Sequence, residues 1–143
     1  MNSPNNIFLI VGAVASAVAA LLHIGCIVFG APWYQFFGAG EKMARLAESG
    51  SVRPTLITIG IVVGLFIWSL YALSGAGVIA QLPLLRVVLC AITAIYLLRA
   101  LAGIPLAYID RERSTGFWIW SSLICLSFGT LHFIGLKQVW FQL

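Results

Sequence analysis

Charge is what this sequence has least of: eight Lys and Arg and four Asp and Glu in 143 residues, about a third of the share usual in soluble domains. The four acids, Glu41, Glu48, Asp110 and Glu112, all lie outside the long apolar runs. That excludes an in-membrane carboxylate pair, a Glu-x-x-His metal site, and a hydrolase whose base is oriented by a buried acid. Cysteine is sparse too. Cys26, Cys90 and Cys125 stand alone in apolar surroundings, with no C-x-x-C spacing, so neither a disulfide framework nor a zinc site is expected. No Gly-rich phosphate loop follows a strand pattern. No basic run or aromatic-basic platform accompanies the net charge of +4, so nucleic acid is not an expected partner. Neither catalytic residues, a cofactor nor a metal is assigned.

What the chain has is apolar length. Hydrophobic residues make up 62% of it, in four runs: Ile7–Phe29, Pro54–Ala80, Pro83–Tyr108 and Thr115–Leu136. A helix needs about 20 apolar residues to cross the ~30 Å hydrocarbon layer, and in lipid only helices or closed barrels satisfy their own backbone. The pattern predicts an all-α, polytopic four-transmembrane-helix bundle, one integral membrane domain over residues 1–143. The first run is longer than a secretory apolar region and no Lys or Arg precedes it, so a retained span is expected. Size and four-span layout are similar to those of many small bacterial inner-membrane proteins, the DoxX type among them. That likeness is of architecture and rests on no motif.

The basic residues set an orientation. Lys42, Arg45, Arg53, Arg111 and Arg113 lie in the first and third connections, against Arg86 and Lys137 on the terminal side. The positive-inside rule then places both termini outside, periplasmic if the membrane is a bacterial inner one. In the first connection, Trp33, Tyr34, Phe36 and Phe37 suit an interfacial aromatic belt. A short amphipathic interfacial helix is expected over 41–49, with Glu41 and Arg45 four apart on its polar face.

At 100° per residue, Gly12, Ser16, Ala19, His23 and Cys26 share one stripe of the first span. Gly60 and Gly64 form a G-x-x-x-G match on the second, and Trp118, Ser121, Cys125, Gly129 and His132 line the fourth. Small residues let helices approach closely in lipid, so Gly12, Ser16, Gly60, Gly64 and Gly129 are expected at helix contacts inside the chain, with self-association as the alternative for the Gly60 and Gly64 pair.

Arg99 is the residue that needs explaining. It lies roughly 13 Å deep by helical rise, and a central Arg costs at least about 2.5–3.5 kcal/mol to insert. Its expected companions are His23 and Tyr96, with Glu41 as the acid able to reach inwards. A second polar cluster is expected near the other face, of His132, Tyr71, Ser74 and Arg86. The two histidines come out some 17 Å apart along the membrane normal, too far to share one haem iron. The leading expectation is a protein that binds or transports a lipidic or anionic small ligand at Arg99, with membrane lipids and a homo-oligomer or partner membrane subunit as its company. The alternatives are an accessory subunit of a larger membrane complex and, third, a membrane enzyme acting on a lipid or isoprenoid with His23 as acid-base group.

Overall fold

The computed structural model describes residues 5–143; residues 1–4 of the single domain expected over 1–143 lie outside it. Six helices follow in order: α1 (Ile7–Phe29), α2 (Ala31–Phe36), α3 (Glu41–Glu48), α4 (Arg53–Gly75), α5 (Leu85–Ile109) and α6 (Thr115–Val139). Four of them, α1, α4, α5 and α6, are long and apolar enough to cross a membrane. At 1.5 Å per residue they measure about 34 to 38 Å. The chain is an integral membrane four-helix bundle.

Local chemistry sets the helix ends. Asn6 caps α1 by accepting the Leu9 amide at 3.0 Å, and Ser114 caps α6 by accepting that of Phe117 at 3.1 Å. The second apolar run continues to Ala80, yet α4 stops at Gly75. Gly77 takes φ +77°, and the Gly77 and Val78 amides fold back onto the Ser74 and Leu73 carbonyls. This paired closure stops a helix where glycine accepts the left-handed conformation. Ser74 then donates to the Ala80 carbonyl and accepts the Leu82 amide, so the α4–α5 connection is an ordered turn over residues 76–84. In the first connection, residues expected as an interfacial belt form a helix of their own, α2, with Pro32 in its first turn. The amphipathic helix expected over 41–49 is α3, ending at Glu48.

The spanning helices form an antiparallel ring in the order α1, α4, α5, α6. The closest pairs are α1 with α4 and α5 with α6. On α4 the stripe Thr58, Val62, Leu65, Ser69 and Ala72 is buried, and Ser69 donates to the Ala13 carbonyl at 2.9 Å. That stripe places the G-x-x-x-G pair elsewhere. Gly60 and Gly64 have open space where a Cβ would stand, so they take no part in packing within this chain, contrary to expectation. Gly12, Ser16 and Gly129 do: a Cβ on Gly129 would fall 3.3 Å from the Leu97 amide nitrogen. The core is Leu9, Leu89, Ile92 and Tyr96 with their neighbours, while Val14, Ile57, Leu98, Leu101 and Leu123 face outwards, as a lipid-solvated surface requires.

The α2–α3 connection roofs one end of the bundle. Trp33 covers Gly25 and stacks on Phe29 at 4.6 Å between centroids. Tyr34 Oη and Thr58 Oγ1 share a buried hydrogen bond of 2.9 Å.

Candidate functional site

Two buried polar patches occupy the bundle, one above the other along α5. The upper centres on Tyr96, which sits one residue from the middle of α5 and is only 5% exposed. Its hydroxyl lies 2.8 Å from Ser16 Oγ of α1, and its ring meets Trp68 of α4 and Phe128 and His132 of α6 at 5.0–5.4 Å. All four spanning helices therefore meet on one side chain. His132 is wholly buried, and its Nδ1 lies 2.8 Å from the Phe128 carbonyl oxygen. A carbonyl only accepts, so Nδ1 carries the proton and Nε2 presents a lone pair. That lone pair has no partner among the described residues. The ring edge rests on α1, where a Cβ on Gly12 would fall 2.8 Å from Cε1.

The lower patch surrounds Arg99. Its Cα lies ten residues before the end of α5, roughly 15 Å from that end by helical rise. The guanidinium bends back towards the same end. Nη2 donates to Ser121 Oγ of α6 at 2.7 Å, about 9 Å inside the start of that helix. The Arg99 Cζ stands 4.7 Å from the centroid of the Trp118 ring, a cation–π contact worth up to about 2 kcal/mol when water is excluded. Neither partner carries negative charge. One turn along α5, Gly103 lets Ser122 in so closely that a Cβ there would overlap Ser122 Oγ. Three buried polar atoms of this patch have no hydrogen-bond partner among the described residues: Arg99 Nη1, Trp118 Nε1 and Ser122 Oγ. Orphaned buried donors are costly and uncommon, and here three fall within one turn of two facing helices.

At the end of α5 a second guanidinium approaches the same aromatic pair. Arg113 Cζ is 5.7 Å from the ring centroids of both Phe117 and Trp118, but its Nη1 is committed to Asp110 at 2.8 Å. That hydrogen bond, set against a smaller effect of burial, holds the Asp110 carboxyl below the usual carboxylate range. The roof lies on this layer, with Gly38 so close to Phe117 that a Cβ would fall 2.5 Å from its ring. Outside it, a groove of about 700 Å³ runs between α3 and the α5–α6 loop, lined by Glu41, Lys42, Arg45, Arg111 and Glu112 among others. Its lining does not include Arg99.

The expected groupings are redrawn by these contacts. Tyr96 joins His132 and Ser16, not His23. His23 is only half-buried and bonds the Ala19 carbonyl of its own helix at 2.7 Å. Glu41 does not reach inwards: it pairs with Arg45 on the exposed face of α3. The second cluster also dissolves. Tyr71 donates to the Pro83 carbonyl, Ser74 closes the α4 turn, and Arg86 donates to the Trp140 carbonyl while standing 5.0 Å from its ring centroid. His132 shares no hydrogen bond with them. Trp118, Ser121 and Ser122 were not foreseen as partners of Arg99, although Trp118 and Ser121 stand on the polar stripe of their helix. Among the described residues no three His, Cys, Asp or Glu side chains gather where they could hold a metal.

The chain matches no protein-family model, and neither curated proteins nor solved structures include a significant match to it.

Proposed function

We propose that the chain binds, or carries across the bilayer, an amphiphile with an anionic head, and that the head docks on Arg99 between α5 and α6. The observation that carries this reading is the Arg99 Nη1 group, buried with no acceptor beside the unpartnered Trp118 Nε1 and Ser122 Oγ. Arginine carries a positive charge. No acid among the described residues pairs with it, the two ion pairs being Glu41–Arg45 and Asp110–Arg113. An anionic acceptor from outside the chain supplies what is missing, and ionisable groups within a membrane are functional candidates on physical grounds. We place the protein in a bacterial inner membrane, on its small size and short connections. The first and third connections then face the cytoplasm and the termini the periplasm, on the distribution of Lys and Arg. The head group would reach Arg99 at the cytoplasmic leaflet.

Arg99→Gln tests the reading, since it keeps a hydrogen-bonding side chain, though a shorter one, and removes the charge. Native mass spectrometry of protein released from membranes is expected to show anionic amphiphile retained by the wild type and lost from the variant. Equal retention by a variant with unchanged unfolding refutes the proposal.

A second reading, a subunit of a larger membrane assembly or of a homo-oligomer, is favoured by Gly60 and Gly64, whose small-residue notch opens outwards from α4. It predicts crosslinking from cysteines placed next to that notch. A chain that stays uncrosslinked and monomeric in mild detergent counts against it. The enzymatic alternative has less behind it: His23 bonds the Ala19 carbonyl of its own helix and Arg99 bonds Ser121, so the two share no hydrogen bond.

A further inference from the structure

Resting on the Arg99 reading, we infer that the ligand's head is a carboxylate on a single hydrocarbon chain, a long-chain fatty acid and not a phospholipid or other phosphate. Three observations point there. The first is charge. Arg113 is neutralised by Asp110 at 2.8 Å, so the patch around Trp118 offers one unmatched positive charge, that of Arg99. A carboxylate balances it, whereas a phosphomonoester brings additional charge into a region that solvates ions poorly.

The second is room. The α5 and α6 backbones approach so closely here that a Cβ on Gly103 would lie 3.3 Å from the Trp118 carbonyl oxygen and would overlap Ser122 Oγ. So close a crossing favours a thin planar carboxylate on one chain over a tetrahedral phosphate bearing a glycerol and a second chain. The open donors are Arg99 Nη1, Trp118 Nε1 and the Ser122 hydroxyl. Two carboxylate oxygens, with about four lone-pair sites, can accept all three.

The third is depth. The Ser121 hydroxyl that holds the guanidinium lies about 9 Å inside the start of α6, below the level of bilayer phosphates. Leu98 and Leu101 of α5 and Ile119 and Leu123 of α6 are exposed on the outer surface at this level. A single chain can lie along them while its head reaches in.

The test uses the full chain in phosphatidylcholine nanodiscs. It compares three probes with the same oleyl-length chain: oleate, oleyl alcohol and oleyl phosphate. Binding is followed by titration calorimetry for the wild type, Arg99→Gln and Trp118→Phe. The last keeps an aromatic ring by the guanidinium, though a smaller one, and removes the N–H. Oleate is expected to bind about tenfold or more tighter than either other probe, and Trp118→Phe to weaken oleate by about tenfold, the scale of one charge-assisted hydrogen bond. The alcohol is expected to be indifferent to both variants. Tighter, Arg99-dependent binding of oleyl phosphate overturns the carboxylate assignment and leaves the proposed function standing. Absence of Arg99 dependence for every probe, as when water alone satisfies the patch, overturns both. Unchanged oleate affinity in Trp118→Phe removes Trp118 from the site and overturns the assignment as argued.

Discussion

Gly103→Ala should separate α5 from α6 at the crossing on which the Arg99 patch is built. The added methyl would overlap Ser122 Oγ and would also stand 3.1 Å from Ser122 Cβ and 3.3 Å from the Trp118 carbonyl oxygen. The carbonyl is backbone and cannot rotate away, so the helices must part. Overpacking of this kind costs about 1–3 kcal/mol, while alanine gains up to about 1 kcal/mol over glycine in helix propensity. The net expectation is a loss of about 1–2 kcal/mol. Ser122→Ala on top of it removes the worst overlap and leaves contacts that a shift of a few tenths of an ångström relieves. The double variant should therefore recover part of the loss, a coupling of about 0.5–1 kcal/mol between touching residues. Gly60→Ala is the control, because nothing lies within 4 Å of its Cβ position. It should leave stability unchanged or raise it by up to about 1 kcal/mol. Reversible unfolding in mixed micelles of increasing sodium dodecyl sulfate reads all four proteins. If Gly103→Ala is as stable as the wild type, or Gly60→Ala loses as much as Gly103→Ala, the packing argued here is wrong.

Three further outcomes follow from particular contacts. Tyr96→Phe removes the hydroxyl shared with Ser16 at 2.8 Å and should cost about 1 kcal/mol. Ser16→Ala should cost a similar amount and the double variant little more, which the same unfolding assay resolves. Gly12→Ala drives a methyl to 2.8 Å from His132 Cε1 and should destabilise by about 1–3 kcal/mol; a smaller loss in the His132→Ala background would confirm the contact, and an equal loss would deny it. Asp110 supplies the pH dependence. Its carboxyl is held below its ordinary value of 3.8, chiefly by the Arg113 hydrogen bond. The stabilisation is therefore present above that ordinary value and is lost as pH falls through the lowered one. Hydrogen exchange of the α5–α6 loop should be faster in Asp110→Asn than in the wild type near neutrality, with the difference vanishing in acid. A difference that persists at low pH would assign the effect to something other than this carboxylate.

The spanning segments were readable because lipid leaves so little choice: long apolar runs can only be helices, and α1 falls where its composition alone places it. Where α4 stops was harder to read. Val78 and Ile79 are as apolar as the helix before them, and the stop depends on a backbone closure at Gly77. The α2 helix was hidden for a related reason, since Trp33, Tyr34, Phe36 and Phe37 suit an interfacial belt whether or not they are helical.

Contacts between helices were the least legible. Helical periodicity tells which residues of one span share a face, and it grouped Trp118, Ser121 and His132 correctly on α6. It does not tell which span that face meets. Tyr96 reads as a neighbour of His23 until the levels of the helices are known, and it is Ser16 of α1 that stands at its height. Gly60 and Gly64 mislead in the same way, because a small-residue pair looks alike whether it faces a helix or lipid. Arg99 was legible as an anomaly; its Ser121 and Trp118 partners were not, because they depend on how far a bent side chain reaches along the next helix.

The most direct test of the central claim is an experimental density map of the protein in nanodiscs prepared with native membrane lipids. The account predicts elongated density along the α5–α6 crossing whose head lies about 3 Å from Arg99 Nη1 and Trp118 Nε1. A guanidinium met only by water, or one turned out to bulk solvent, would contradict it.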